Sequence, residues 1–164
     1  MTSDKIYLFA ILPIPIWLTI NFIIIYVRHK NSLVKIEHLA NYSFDFIRKD
    51  LEIKFYWRSG LKDYISFITN CDIYFHKDYF VVIPYQNFPF KAFHNPIKFK
   101  SQTSLGNNDP LFLKNHTIDK LELNKFNRKE IELYYVEGHN KYRIKFKNLY
   151  KTAPEKLEMI KNYS

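Results

Sequence analysis

Leu51-Glu52-Ile53-Lys54-Phe55-Tyr56-Trp57-Arg58 sets an apolar side chain at every odd position and a polar or amphipathic one at every even position. That period of two is the pattern of a half-buried strand. From Leu51 onward the chain therefore reads as β structure. Ser59-Gly60 punctuates the first strand, and Tyr64 to Thr69 reads as the next. Ile73-Tyr74-Phe75-His76 and Tyr79 to Ile83 flank Lys77-Asp78 as a tight hairpin, with Pro84 limiting its second strand. Pro89 and Pro96 confine Phe90–Phe93 and Ile97–Phe99 to short edge strands. Residues 101–119 are loop-like and contain the turn signal Gly106-Asn107-Asn108-Asp109-Pro110. Strand patterns resume over Lys120–Phe126. Glu130–Val136 and Tyr142–Phe146 then make a hairpin around Glu137-Gly138-His139-Asn140. Thr152-Ala153-Pro154-Glu155 is a capping box opening an amphipathic helix with Ala153, Leu157 and Ile160 on one face.

On the N-terminal side the period lengthens. Leu33, Ile36, Leu39, Ala40, Phe44 and Ile47 recur at helical spacing over residues 32–48, with Ser32 as the expected N-cap. Before them, Ile6 to Val27 (IYLFAILPIPIWLTINFIIIYV) contains no charge, and Arg28-His29-Lys30 closes it. As a helix this run reaches roughly 33 Å, against a hydrocarbon core of about 30 Å. It is too long for a signal-peptide core and lacks small residues at its end. A single-pass anchor is expected, loosened near Pro13 and Pro15. Asn21 is its one strongly polar side chain, expected to be tolerated rather than to bind a partner helix. Arg28, Lys30 and Lys35 outweigh Lys5, so the positive-inside rule puts the N-terminus outside and the rest in the cytoplasm. The expected organisation is an external tail (1–5), a transmembrane helix (6–27), a basic juxtamembrane amphipathic helix (28–49) and a β domain with a C-terminal helix (50–164).

The expected fold class is α+β: one transmembrane helix, then about seven antiparallel-type strands forming a curled sheet or open barrel, closed by the C-terminal helix. This order, with the runs Leu51–Trp57, Ile73–Ile83 and Tyr142–Phe146, resembles the pleckstrin-homology-like fold. The whole is similar to small bacterial proteins that carry such a domain behind a membrane helix. The Trp found in the closing helix of many members is absent, leaving Leu157 and Ile160 in its place. The resemblance implies a binding or scaffolding module and no particular ligand.

No catalytic signature accompanies the fold. G-x-S-x-G, P-loop and G-x-G-x-x-G motifs are missing, and three glycines leave little for a phosphate cradle. The six His are scattered, and Cys71 reads as a small buried hydrophobe. No enzyme activity, cofactor or metal is expected. The balance of 25 basic to 16 acidic residues, a net of +9, suits an anionic inner leaflet. Nucleic acid is not expected, for want of any of its binding motifs. Two basic sets are candidates for anionic headgroups. Lys54, Arg58 and Lys62 bracket the first strand turn, where the resembled fold places lipid-binding cations. Lys141, Arg143, Lys145 and Lys147 line one strand face, and the competing reading of that stripe is a solvated, edge-protecting face. The expected function is a membrane-anchored, non-catalytic binding or scaffolding module. The alternative is a membrane-tethered protein-interaction component, an immunity or assembly factor with one protein partner.

Overall fold

The computed structural model describes residues 13–59, 62–66, 68–87, 90–100, 110–123 and 130–147. Among these residues one helix, α1 (Pro13–Leu39), precedes ten strands: β1 (Phe46–Ser59), β2 (Lys62–Ile65), β3 (Asn70–Phe75), β4 (Tyr79–Gln86), β5 (Ala92–Phe93), β6 (Ile97–Lys100), β7 (Asn115–His116), β8 (Ile118–Leu123), β9 (Glu130–Glu137) and β10 (Asn140–Lys147). The class is α+β, as expected, but the described strands exceed the seven anticipated. The expected C-terminal helix lies outside the described residues.

The strand path runs β7-β6-β4-β3-β1-β10-β9-β8, antiparallel except for β6 with β7; β2 pairs β1 and β5 pairs β4 off the path. Its two ends are β7 and β8, and in the chain only Thr117 separates them. The sheet therefore curls until its edges nearly meet, making an almost closed barrel. The interior is filled from both halves, by Ile53, Phe75, Phe80 and Phe99 on one side and Leu133, Ile144 and Phe146 on the other. The β9–β10 hairpin turns on Gly138-His139, with Gly138 at φ 60 supplying the positive φ that the first central residue of a type II′ turn requires.

β1 belongs to both halves. Phe46 to Glu52 pairs β3, and Ile53 to Arg58 pairs β10. The register slips between Arg48 and Leu51, where Lys49 and Asp50 together oppose Asp72. This is a β-bulge, with Asp50 at φ 56. The additional residue reverses the alternation: Phe46 packs on the interior before the bulge, and Leu51, Ile53 and Phe55 after it. The bulge N–H of Asp50 donates to Asp72 Oδ1 at 2.9 Å, so the donor left over by the broken ladder is satisfied.

Boundaries differ from the sequence reading at several points. β2 spans Lys62–Ile65 where Tyr64–Thr69 was expected, and β7 and β8 begin at Asn115 and Ile118, inside the stretch expected to be loop. The helix expected over residues 32–48 ends at Leu39. Ala40, Asn41 and Tyr42 close it with i−3 bonds to Glu37, His38 and Leu39 carbonyls (3.0–3.2 Å), and Asp45 already donates to Phe75 of β3. Phe44 and Ile47 keep helical spacing only by coincidence. Ser32 is no N-cap, because α1 runs on through it; its hydroxyl, buried under the sheet, donates back to the Arg28 carbonyl at 2.8 Å. Pro84 lies inside β4 instead of ending it. β4 exchanges β6 for β5 between Val82 and Tyr85, and the Pro84 carbonyl accepts His94 N–H (2.8 Å) at that gap, so the missing N–H falls where the ladder is already interrupted.

α1 lies on the outer face of the β3–β4 half. Leu39 and Ile36 pack with Tyr79, Val81, Ile83 and Leu113, so β4 is buried on both faces. Lys98, fully buried, donates to the Pro110 carbonyl at 2.9 Å and ties Leu113 against this layer. Among the described residues no helix is long and apolar enough to cross a membrane. Residues 6–12 of the apolar run lie outside them. Within the described part Asn21 donates to Trp17 O and Thr19 to Pro15 O, both at 2.8 Å, so both polar groups are held by their own helix.

Candidate functional site

Register decides which of the expected cations share a surface. Lys54, Tyr56 and Arg58 of β1 stand opposite Lys145, Arg143 and Lys141 of β10, on the outer face behind Ile53 and Phe55. Most of the two sets thus meet on one face. Lys62 does not join them: it pairs Ser59, on the parity of Trp57. The neighbouring strand brings acids to the stripe. Lys145 Nζ lies 2.6 Å from Glu130 and 3.5 Å from Glu132, and Arg143 lies 3.5 Å from Glu132 and 4.2 Å over the Tyr56 ring. Lys147 pairs Glu52. The Glu130 hydrogen bond holds the Lys145 ammonium above its usual range. Tyr134, donating to Glu132 at 2.8 Å, is pushed up to about 12 by burial first and then by that bond. The middle of this face is a cross-strand ion-pair network, which stabilises a sheet and leaves few charges for an external anion. Among the described residues, Lys54 and Lys141 make no ion pair.

A second constellation forms at the bulge, from residues far apart in sequence. The Tyr85 hydroxyl at the end of β4 donates to the Asp50 carboxylate. Lys91 Nζ lies 3.6 Å from the same carboxylate, 4.3 Å over the Tyr85 ring and 5.3 Å from the Phe93 ring. The Phe93 ring stacks on His29 of α1 at 5.9 Å, and Phe93 N–H donates to His29 Nδ1 at 3.1 Å. Lys35 donates to Asn95 Oδ1 at 3.1 Å. Of the residues expected to set topology, Lys35 is thus tied to the barrel, while Arg28 and Lys30 stay exposed on α1. No sequence motif pointed to Tyr85, Lys91 or Asp50. The one local signal is a polar pair, Lys49-Asp50, directly before the strand-like run that opens at Leu51.

The electrostatics of the cluster follow from its partners. The Tyr85 bond, then Lys91, holds the Asp50 carboxyl below its usual range. Burial pushes Asp72 up, against the opposing Asp50 N–H bond. Tyr85 is raised by burial and then by its bond to Asp50. His94 is lowered by burial and then by nearby Arg28. For Asp72 the sign is that of a carboxyl holding its proton more tightly when folded. The stability it contributes is present below 3.8 and lost as pH rises to the raised folded value. Asp72→Asn keeps an acceptor for Asp50 N–H and removes that loss. Its urea midpoint should exceed that of the parent at pH 7, with the gap closing as pH approaches 4; a gap of equal size at both pH values would contradict this origin.

The arrangement offers charge and hydrogen bonding, but no nucleophile with an adjacent base. Cys71 is fully buried, and burial, then Asp72, pushes its thiol up, away from reactivity. Among the described residues no group of three or more His, Cys, Asp or Glu is placed to hold a metal. Fold and site define an α+β protein: a nearly closed, largely antiparallel barrel carrying one long helix, with a polar cluster where the two join. No family model, curated protein or solved structure matches the chain.

Proposed function

We propose that this is a single-pass membrane protein that presents a non-catalytic, pleckstrin-homology-like binding or scaffolding domain on the cytoplasmic face of the inner membrane. The supporting observation is the contrast between the two halves of α1. Ile16, Trp17, Leu18 and Ile20 span a full turn and are each about half exposed, and Phe22 to Val27 repeat this on the next turns. A helix apolar all round needs an apolar surrounding. In the other half one side is covered: Ser32 and Leu39 are buried and Ile36 packs with them against the sheet, while Val34, Glu37 and His38 face out. The pleckstrin-homology-like assignment draws support from the strand order, two antiparallel meanders joined through one bent strand. Orientation rests on Arg28, Lys30 and Lys35 following the apolar run.

The full-length chain should stay in the membrane pellet after alkaline carbonate extraction, and a reporter fused after Ser164 should be active in the cytoplasm. Release into the supernatant would refute the anchor; activity only outside would reverse the orientation. The protein-partner reading is favoured by β2, where Tyr64 and Ile65 stand exposed beside the Trp57–Tyr64 stack. A stoichiometric protein recovered with the full-length chain, and lost on Ile65→Asp, would establish it.

A further inference from the structure

We propose that Lys91 and Lys49 beside the bulge, with Arg28 beside His94, form a docking site for the phosphate of an anionic phospholipid headgroup, and that Asp50 occupies Lys91 until lipid replaces it. This rests on the reading of α1 as a membrane anchor and assigns the contact to a different surface from the β1–β10 stripe.

The first argument is position. α1 is unbroken from Pro13 to Leu39, and its second half is locked to the sheet, so the barrel cannot swivel beneath the apolar segment. The bond from Phe93 N–H to His29 Nδ1 fixes β5 at the level of His29, two residues past Val27. At 1.5 Å per residue that is about 3 Å beyond the end of the apolar run. The polar layer flanking the hydrocarbon is about 5–7 Å deep on each side. A group at this level therefore stands among headgroups. Lys91 is two residues from Phe93, with its ammonium 5.3 Å from the Phe93 ring.

Charge is the second argument. Lys91 and Lys49 both act on Asp50 and Asp72, and Arg28 acts on His94, the residue after Phe93. The β10 stripe answers its cations with Glu130, Glu132 and Glu52, whereas here the facing acids are Asp50 and the buried Asp72. Asp50 already accepts from Tyr85. The Lys91–Asp50 pair is open to solvent on both sides, with side chains 48% and 72% exposed. An exposed pair of this kind is weak enough for a phosphate to displace.

The test uses the full-length chain reconstituted into vesicles of phosphatidylcholine alone, or with about one-third phosphatidylglycerol. Amine acetylation at Lys91 is read by mass spectrometry, with Lys141 as internal reference. Labelling of Lys91 relative to Lys141 should fall about fivefold on the anionic vesicles, the factor expected of one cation held at an anionic surface. In Asp50→Asn, whose Asn accepts the left-handed backbone, the fall should be larger because Lys91 has lost its protein partner. Equal labelling on both vesicles, with the protein still resistant to alkaline extraction, would overturn the proposal and leave the anchor standing. Protection on neutral vesicles by dissolved glycerol phosphate would overturn the choice of lipid. Extraction of the protein from both vesicles would overturn the anchor itself.

Discussion

Phe75→Ala should lower the stability of the domain by about 3–5 kcal/mol, the cost of emptying an aromatic site in a close-packed core. Phe75 is fully buried, with Phe46 and Phe80 each 5.9 Å away by ring centroid, and pairs both β1 and β4. It touches the strand that holds the two halves of the barrel together, so little can collapse into the cavity. Urea unfolding of the full-length chain in detergent should show the midpoint falling by about 1 M or more, given slopes of about 1–3 kcal/mol per M. Ile47→Ala, on the exposed side of the same strand, should stay within about 0.5 kcal/mol. Similar losses at both positions would mean that the interior is not packed as described.

Arginine at Ile20 and Ile24 together should abolish membrane retention. The two lie one turn apart on one side of α1, both well exposed. A charge at the centre of a spanning helix costs about 2.5–3.5 kcal/mol of insertion and less toward its ends, so the pair costs at most about 5–7 kcal/mol. The double variant should leave the alkaline-resistant pellet, while Ile20→Leu with Ile24→Leu should remain in it. Retention of the arginine variant would place α1 outside hydrocarbon.

Legibility of the fold tracked how local each determinant is. The β9–β10 hairpin could be read almost to the residue, because alternation on both arms and a glycine at the turn are written within one short stretch. The β3–β4 hairpin was legible for the same reason. The bulge was not: Arg48-Lys49-Asp50 looks like a break between elements, and only pairing with Asp72 shows β1 continuing through it. With the alternation reversed there, Phe46 fell out of register with Leu51 and its segment passed for helix. The basic stripe was visible as a stripe, but its neutralisation depends on β9 lying beside β10 in a register that sets Glu132 opposite Lys145. The Asp50–Tyr85–Lys91 cluster depends on three separated segments, and no spacing rule announces it.

The double membership of β1 has a consequence for how the protein is made. Its C-terminal half, Ile53 to Arg58, pairs with residues between 83 and 93 positions later in the chain. At about 5–20 residues per second, the ribosome takes roughly 4–17 s to deliver β10 after β1 has emerged. Through that interval one side of β1 lacks its neighbour, and Phe55 and Trp57 await their cover. Such long-range pairing also slows closure after synthesis. Lys54 and Arg58, flanking those apolar residues, then serve as gatekeepers against association with other nascent chains.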